Sequence, residues 1–205
     1  HRRSSAASDV YKRQIETYIK GYKEVSEDEG EVIMCFTSYP TFRHDLYQDY
    51  KANRKSRRKP LALKGVMDAL TNRYKCVRYD NLEGDDVLGI LATSKELDDP
   101  IIVSPDKDMR TIPCKLLAGD DLELITRRQA DRNWMIMALT GDMTDNYKGI
   151  TGVGTVTANK ILGDSKTLEE MWDIVVKEYE KKSGGHKEAL LTARLARILR
   201  AEDYN

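Results

Sequence analysis

Pro100-Ile101-Ile102-Val103-Ser104-Pro105-Asp106-Lys107-Asp108 sets a short, unbroken apolar run directly against a polar turn with two aspartates. A run of this kind, without polar alternation, suits a strand buried on both faces, as in a parallel sheet covered by helices. Glu31-Val32-Ile33-Met34-Cys35-Phe36 and Lys75-Cys76-Val77-Arg78-Tyr79 have the same character. Between the runs, Leu63, Val66, Met67 and Leu70, and then Val87, Leu88 and Leu91, recur at helical spacing. Alternating strand and helix predicts an α/β core with a parallel sheet and helices on both faces. Such sheets gather ligands beyond the C-terminal ends of their strands. Asp106 and Asp108 stand at one such end, and Glu83-Gly84-Asp85-Asp86 follows shortly after the strand at Tyr79.

Downstream, Lys115-Leu116-Leu117, the turn Ala118-Gly119-Asp120-Asp121 and Leu122-Glu123-Leu124-Ile125 predict a hairpin, with Asp120 and Asp121 as turn residues. Thr126-Arg127-Arg128-Gln129 has the capping-box pattern and opens a helix bearing Ala130, Trp134, Met137 and Ala138 that stops at Gly141. Helices are expected over Thr155–Leu162, Thr167–Lys182 and Glu188–Arg200, making the C-terminal third a helical subdomain. The chain thus divides into 1–14, 15–140 and 141–205. The first stretch, opening on His1 without an apolar h-region, is read as a non-native or disordered leader.

With 205 residues, the chain can build one sizeable core and a small satellite. No apolar run approaches the roughly 20 residues that span a bilayer, so no membrane role is expected. Formal net charge is zero, so a nucleic-acid partner would need a local basic patch. Cys35, Cys76 and Cys114 are odd in number and widely spaced, which fits neither a disulfide framework nor a zinc site and suits a reducing cytoplasm.

Three acidic clusters stand out: Glu83, Asp85 and Asp86; Asp106 and Asp108; and Asp142 and Asp145. Taken singly, each is what a helix start or polar turn favours. Converging on strand ends, they would repel one another unless something cationic sat among them, and two divalent ions are the expected occupant. Oxygen ligands without His or Cys select Mg²⁺ or Mn²⁺ over zinc. Two such ions about 4 Å apart can clamp an in-line phosphoryl displacement. Phosphodiester hydrolysis is the chemistry suggested.

Two further stretches point to nucleic acid. Gly149-Ile150-Thr151-Gly152-Val153-Gly154 opens a helix bearing Thr155, Thr157 and Lys160, resembling a helix-hairpin-helix unit that grips a DNA backbone. Thr41 to Pro60 ends in a dense basic run including Lys55, Arg57 and Arg58, with Phe42, Tyr47 and Tyr50 interleaved as stacking groups.

Tyr50-Lys51-Ala52-Asn53-Arg54, Glu83-Gly84-Asp85-Asp86, Asp106-Lys107-Asp108, and Gly141-Asp142-Met143-Thr144-Asp145-Asn146 followed by Gly152-Val153-Gly154 together resemble the 5′ nuclease family. That family comprises flap endonucleases, the 5′-3′ exonuclease domain of bacterial DNA polymerase I and phage 5′-3′ exonucleases. The resemblance runs in consistent order from about Val32 to Leu162. It implies a PIN-like nuclease core with a helical arch at about 41–60 and a helix-three-turn-helix beyond 141. It implies two Mg²⁺ or Mn²⁺ held directly or through water by Glu83, Asp85, Asp86, Asp106, Asp108, Asp142 and Asp145, and a K⁺ at the helix-three-turn-helix. Lys51 and Arg54 would meet the scissile phosphate. Arg43, Tyr50, Lys55, Arg57, Arg58, Gly152, Gly154, Thr155, Thr157 and Lys160 would contact DNA bearing 5′ ends, flaps or branches, or an RNA–DNA hybrid. A monomeric, phage-encoded enzyme of DNA replication, acting in the host cytoplasm, is the expectation.

Two departures accompany the resemblance. Thr37 stands where the family usually carries Asp, and a first strand with another metal-binding Asp would be expected before Ile15, which reads as N-terminal truncation. A chain lacking that strand is expected to bind DNA yet cleave it poorly. The open alternatives are a PIN-type ribonuclease and a DNA-structure binding module with impaired catalysis.

Overall fold

The computed structural model describes residues 13, 15–17, 19–24, 30–54, 63–182 and 184–204. Lys55, Arg57 and Arg58 lie outside the described residues, as does nearly all of the 1–14 stretch. The chain is α/β. The predicted strands form at β1 (Ile33–Cys35), β2 (Lys75–Val77) and β3 (Ile101–Val103), and the hairpin at β4 (Lys115–Ala118) and β5 (Asp121–Leu124). Helices are α1 (Phe42–Leu46), α2 (Leu63–Arg73), α3 (Gly84–Thr93), α4 (Arg127–Thr140), α5 (Thr155–Leu162), α6 (Leu168–Lys182) and α7 (Gly185–Ala196).

β1 pairs parallel with β2, and β3 parallel with β4, which also pairs antiparallel with β5. The expected single sheet is not formed: among the described residues the two parallel pairs belong to separate sheets. With only three residues each, β1, β2 and β3 offer short ladders. The halves are joined by helix packing, because α3 rests on both β1 and β3. Leu82, Val87, Ile90 and Leu91 bury one face of this joint against Ile33, Cys35, Phe42 and Val77. On the other sheet, Ile102, Met109, Ile112, Leu116 and Ala130 close a second core.

α4 starts where its capping box predicts. Thr126 Oγ1 accepts from the Gln129 amide at 3.3 Å, while Gln129 Oε1 accepts from the Thr126 amide at 2.9 Å. It ends at Gly141, whose φ of +67° is left-handed backbone that glycine adopts without strain. A two-residue hairpin follows, β6 (Gly141–Asp142) with β7 (Tyr147–Lys148). Its crossing is so tight that a Cβ on Gly141 would lie 2.1 Å from the Gly149 nitrogen. That crossing presents Asp142 and Asp145.

The C-terminal helices pack around Met135, Leu139, Leu162, Met171, Val175 and Tyr179, all buried. The last helix corrects the expectation of Glu188–Arg200: α7 stops at Ala196, and residues 197–200, extended at Arg197 and Arg200, form no regular element before a 3₁₀ turn at Ala201–Asp203. Polar capture ends it. The Leu195 and Arg197 carbonyls accept from Arg43, and the Leu199 amide donates to Asp86. This segment, 195–204, lies as a strap across α3. Arg200, fully buried, is held by Asp131 at 2.6 Å and donates to the Thr111 carbonyl at 2.9 Å.

Candidate active site

The segment from Tyr47 to Arg54 is folded down onto the β6–β7 hairpin. The Lys51 amide donates to the Asp145 carbonyl at 2.9 Å, and Asn53 Nδ2 to the Met143 and Thr144 carbonyls at 3.2 Å each. Asn146 Nδ2 returns the grip by donating to the Asp49 carbonyl at 2.7 Å. Lys51 takes a φ of +54°, an uncommon conformation for a residue with a side chain. Its ammonium lies 2.5 Å from Glu83 Oε1 and 3.5 Å from Asp145 Oδ2. Arg54 Nη2 lies 2.6 Å from Asp145 Oδ1. The YKANR motif thus enters the acidic cluster instead of standing over it.

Tyr50 and Arg43, both expected to contact DNA, are buried among protein partners. The Tyr50 ring is 2% exposed and its hydroxyl lies 2.9 Å from both Glu83 Oε2 and Asp145 Oδ2. Burial, reinforced by these carboxylates, pushes its pKa up, so the single hydroxyl proton stays and is shared between them. Arg43, also 2% exposed, is paired with Asp86 at 2.6 Å. Neither side chain is presented to a passing strand. Asp86, expected among the metal ligands, has both its oxygens committed to Arg43 at 2.6 and 2.7 Å.

The structure does bring the three acidic clusters into one electrostatic neighbourhood. Asp85 is pushed up to about 6, first by burial and then by Glu83, with Asp106 adding. Asp108 is likewise pushed up to about 6, by burial and then by Asp106, with Asp142 and Asp145 contributing. Glu83 moves the other way: burial opposes its ionisation, but Arg43 and Lys51 outweigh it and hold the carboxyl below its ordinary range. Asp106 caps the 3₁₀ turn Lys107–Thr111, accepting the Asp108 amide at 2.9 Å. Asp142 accepts the Thr144 amide at 2.6 Å.

Among the described residues, no group of three or more His, Cys, Asp or Glu side chains is arranged to hold a metal ion. Lys51, Arg54 and Arg43 take the cationic places beside Glu83, Asp145 and Asp86. None of Asp85, Asp106, Asp108 and Asp142 is in an ion pair among the described residues. As hard oxygen donors outside any ion pair, these four have the chemistry that suits divalent cations.

Of the other predicted contacts, Thr155, Thr157 and Lys160 are exposed on α5, and Gly152 and Gly154 border open space, Gly152 at a φ of +79°. Thr37 replaces the expected carboxylate with a hydroxyl that accepts from the Gly84 amide at 2.9 Å, steadying the start of α3. Sequence reasoning missed Asn53 and Asn146 as latches and Asp131, Arg197 and Arg200 as anchors of the strap. Asp131 had a signal, lying one turn before Trp134 on the apolar side of α4.

Carboxylates interleaved with lysine and arginine beyond the ends of parallel strands suit attack on a phosphate ester, whose charge the freed cations can receive. The fold and site therefore define a nuclease of α/β type. Residues 5–139 match the profile described as "5′-3′ exonuclease, N-terminal resolvase-like domain". The chain belongs to the 5′-3′ exonuclease family and is a hydrolase of phosphodiester bonds. The match begins at residue 5, inside the stretch read as a leader. The exodeoxyribonuclease of Enterobacteria phage T3 is 30% identical over 211 residues, covering 85% of this chain and 70% of that protein. The flap endonuclease Xni of Shewanella sp. (strain MR-4) is 30% identical over 179 residues, 77% of this chain and 68% of that protein. The fold is similar to that of a zinc-bound T5 5′-exonuclease, with a TM-score of 0.63 at 15% identity over 92% of this chain and 78% of that one. Among the described residues, no helix is long and apolar enough to cross a membrane.

Proposed function

We propose that this chain is a 5′-3′ exonuclease and flap endonuclease that hydrolyses DNA phosphodiesters near 5′ ends with divalent metal ions, Mg²⁺ or Mn²⁺. The observation that carries the proposal is the division of the acidic clusters. Glu83 and Asp145 are neutralised by Lys51 and Arg54, while Asp85, Asp106, Asp108 and Asp142 beside them are in no ion pair among the described residues. These four would hold the ions, with Glu83 and Asp145 joining once their cations leave. When bound there, such ions supply Lewis-acid countercharge to a phosphodiester. Lys51 and Arg54, released from Glu83 and Asp145 by a side-chain swing, then donate to the phosphate oxygens as charge develops. Tyr50, protonated and buried, keeps Glu83 and Asp145 at a fixed separation throughout.

For DNA grip, the turn at Gly149–Gly154 with the start of α5 serves as a helix-three-turn-helix. The open space at Gly152 and Gly154 lets a phosphate approach backbone N–H groups, and Thr155, Thr157 and Lys160 stand exposed beside them. The phage T3 and Shewanella relatives, by name an exodeoxyribonuclease and a flap endonuclease, support this reading, as does a T5 flap endonuclease solved as a pseudo-enzyme-product complex with DNA and metal ions. The test is cleavage of a 5′-labelled flap duplex, its all-RNA counterpart and a blunt duplex under single turnover. Cleavage of the DNA flap is expected in Mg²⁺, with loss in EDTA and in Asp106→Asn and Asp142→Asn. Cleavage indifferent to EDTA, or confined to RNA, would overturn the proposal.

A further inference from the structure

Asp86 has no coordination left to give. A carboxylate offers about four lone-pair sites, and here all are filled by protein. Oδ1 accepts from Arg43 Nη2 at 2.7 Å and from the Leu199 amide at 3.1 Å. Oδ2 accepts from Arg43 Nη1 at 2.6 Å and from the Glu83 amide at 3.0 Å. The residue is fully buried, although its neighbour Asp85 feels the open cluster. Successive residues on a helix point about 100° apart, so one of the pair faces the cluster and the other the strap.

Arg43 completes the joint from the other side. Besides both oxygens of Asp86, its guanidinium donates to the Leu195 carbonyl at 3.1 Å and to the Arg197 carbonyl, and Nη1 lies 3.3 Å from Glu83 Oε2. A planar fork with five donors can span such a set, and an ammonium cannot. Along α3 the strap follows one face. Gly89 admits it where a Cβ would meet the Leu199 carbonyl at 2.2 Å, and Thr93 Oγ1 accepts from the Ala201 amide at 2.8 Å. Residues 86, 89 and 93 form one stripe of the helix.

The geometry points to Arg43 and Asp86 as a buried positioning pair that fixes Glu83 in the active site and fastens the Leu195–Ala201 strap to the acidic helix, not as a DNA contact and a metal ligand. The inference rests on the nuclease reading of the cluster. Glu83 is tied to the pair at two points, its amide to Asp86 and its carboxylate to Arg43, so a shift of either moves it relative to Asp85 and Lys51. The strap supplies the hydrogen-bonding groups that hold the pair in register.

The test uses the whole chain. Removing one partner strands a buried charge, whereas replacing both with apolar groups of similar volume is tolerated in other buried pairs, so the informative variant is Arg43→Met with Asp86→Leu. Arg43→Lys is the conservative companion. Three quantities are measured: Mn²⁺ equivalents bound without DNA by calorimetry, single-turnover rate and Kd on a 5′-flap duplex, and amide exchange at Glu83 and Leu199. The double variant is expected to bind as many Mn²⁺ as the native chain and to exchange faster at both amides. Its rate at saturating DNA should fall at least about tenfold, as small misplacements of reacting groups do, with Kd within about threefold. Loss of one Mn²⁺ equivalent would make Asp86 a ligand and overturn the inference, as would a native rate with native exchange. Should the double variant not fold, Arg43→Lys decides alone, slowed cleavage with native Mn²⁺ uptake supporting the pair and an unchanged rate overturning it. If the native chain takes up no Mn²⁺, the metal reading fails, and exchange at Glu83 and Leu199 still decides the pair.

Discussion

With divalent ions chelated, the protein should become more stable as the pH falls from 7.5 to 5. Asp85 and Asp108 each titrate from an ordinary value of 3.8 unfolded to about 6 folded, raised first by burial and then by Glu83 and Asp106 respectively. Between those limits the folded chain holds protons that the unfolded chain has released, so stability declines as pH rises through the window. At about 1.4 kcal/mol per pK unit, each shift is worth at most roughly 3 kcal/mol. Only about one pK unit of each shift falls between pH 5 and 7.5. Both groups are partly exposed and share neighbours, so screening and coupling should leave about 1 to 2 kcal/mol for the two together. Glu83 runs in the opposite sense. Its folded pKa is lowered, so its contribution is complete above the ordinary 4.5 and fades only below it, outside this window.

Urea denaturation followed by circular dichroism in EDTA, at half-unit steps from pH 5 to 7.5, reads the effect directly. Asp108→Asn should remove about half of the slope. Saturating Mg²⁺ should reverse it, because the ions bind ionised carboxylates and stabilise the folded state by mass action. A metal-free stability that is flat or rising with pH across the window would refute the crowding of these carboxylates.

Lys51→Ala should act in two directions at once: Mn²⁺ affinity without DNA rises as Glu83 and Asp145 lose their cation, while the single-turnover rate at saturating flap DNA falls about a hundredfold, the range for loss of one preorganised donor. An unchanged rate would remove Lys51 from the chemistry. Gly141→Ala should cost at least about 3 kcal/mol in denaturant unfolding, since it adds a clash to left-handed strain; near-native stability would contradict the tight Gly141–Gly149 crossing. Lys160→Ala should lower the slope of log affinity against log salt by about one unit if it meets a phosphate, and an unaltered slope would take α5 off the DNA.

Short apolar runs and capping signals made the strands, the β4–β5 hairpin and α4 legible, because each depends on neighbours in sequence. The three acidic clusters were legible for the same reason. What occupies them was not, because the pairings that bury Arg43 and Tyr50 reach 43 residues to Asp86 and 95 residues to Asp145. A basic residue ahead of a dense basic run reads as a solvated or DNA-facing charge, and composition carries no sign that this one turns inward. Asp85 and Asp86 are harder still. Side by side in sequence, they differ only in helical phase, and phase has meaning only once it is known that a strap passes over one side of α3. The end of α7 was misplaced for a related reason: Ile198 and Leu199 continue the apolar spacing, but their backbone is claimed by Asp86 and by the tight passage over Gly89.

The family profile ends at residue 139, yet the site does not end there. Asp142 and Asp145 come from the β6–β7 hairpin, whose crossing needs Gly149, and the hairpin in turn latches the Lys51 turn through Asn53 and Asn146. The strap closes the opposite side, giving Arg43 two carbonyls and Asp86 an amide. A chain cut after α4 would take two carbonyl acceptors from Arg43 and one amide donor from Asp86, and would uncover a pair that the strap now buries. The helices past Gly141 therefore do more than offer the surface proposed for DNA. They hold from two sides the carboxylates and cations that the α/β half contributes, so the proposed catalysis and the proposed DNA grip share the same packing.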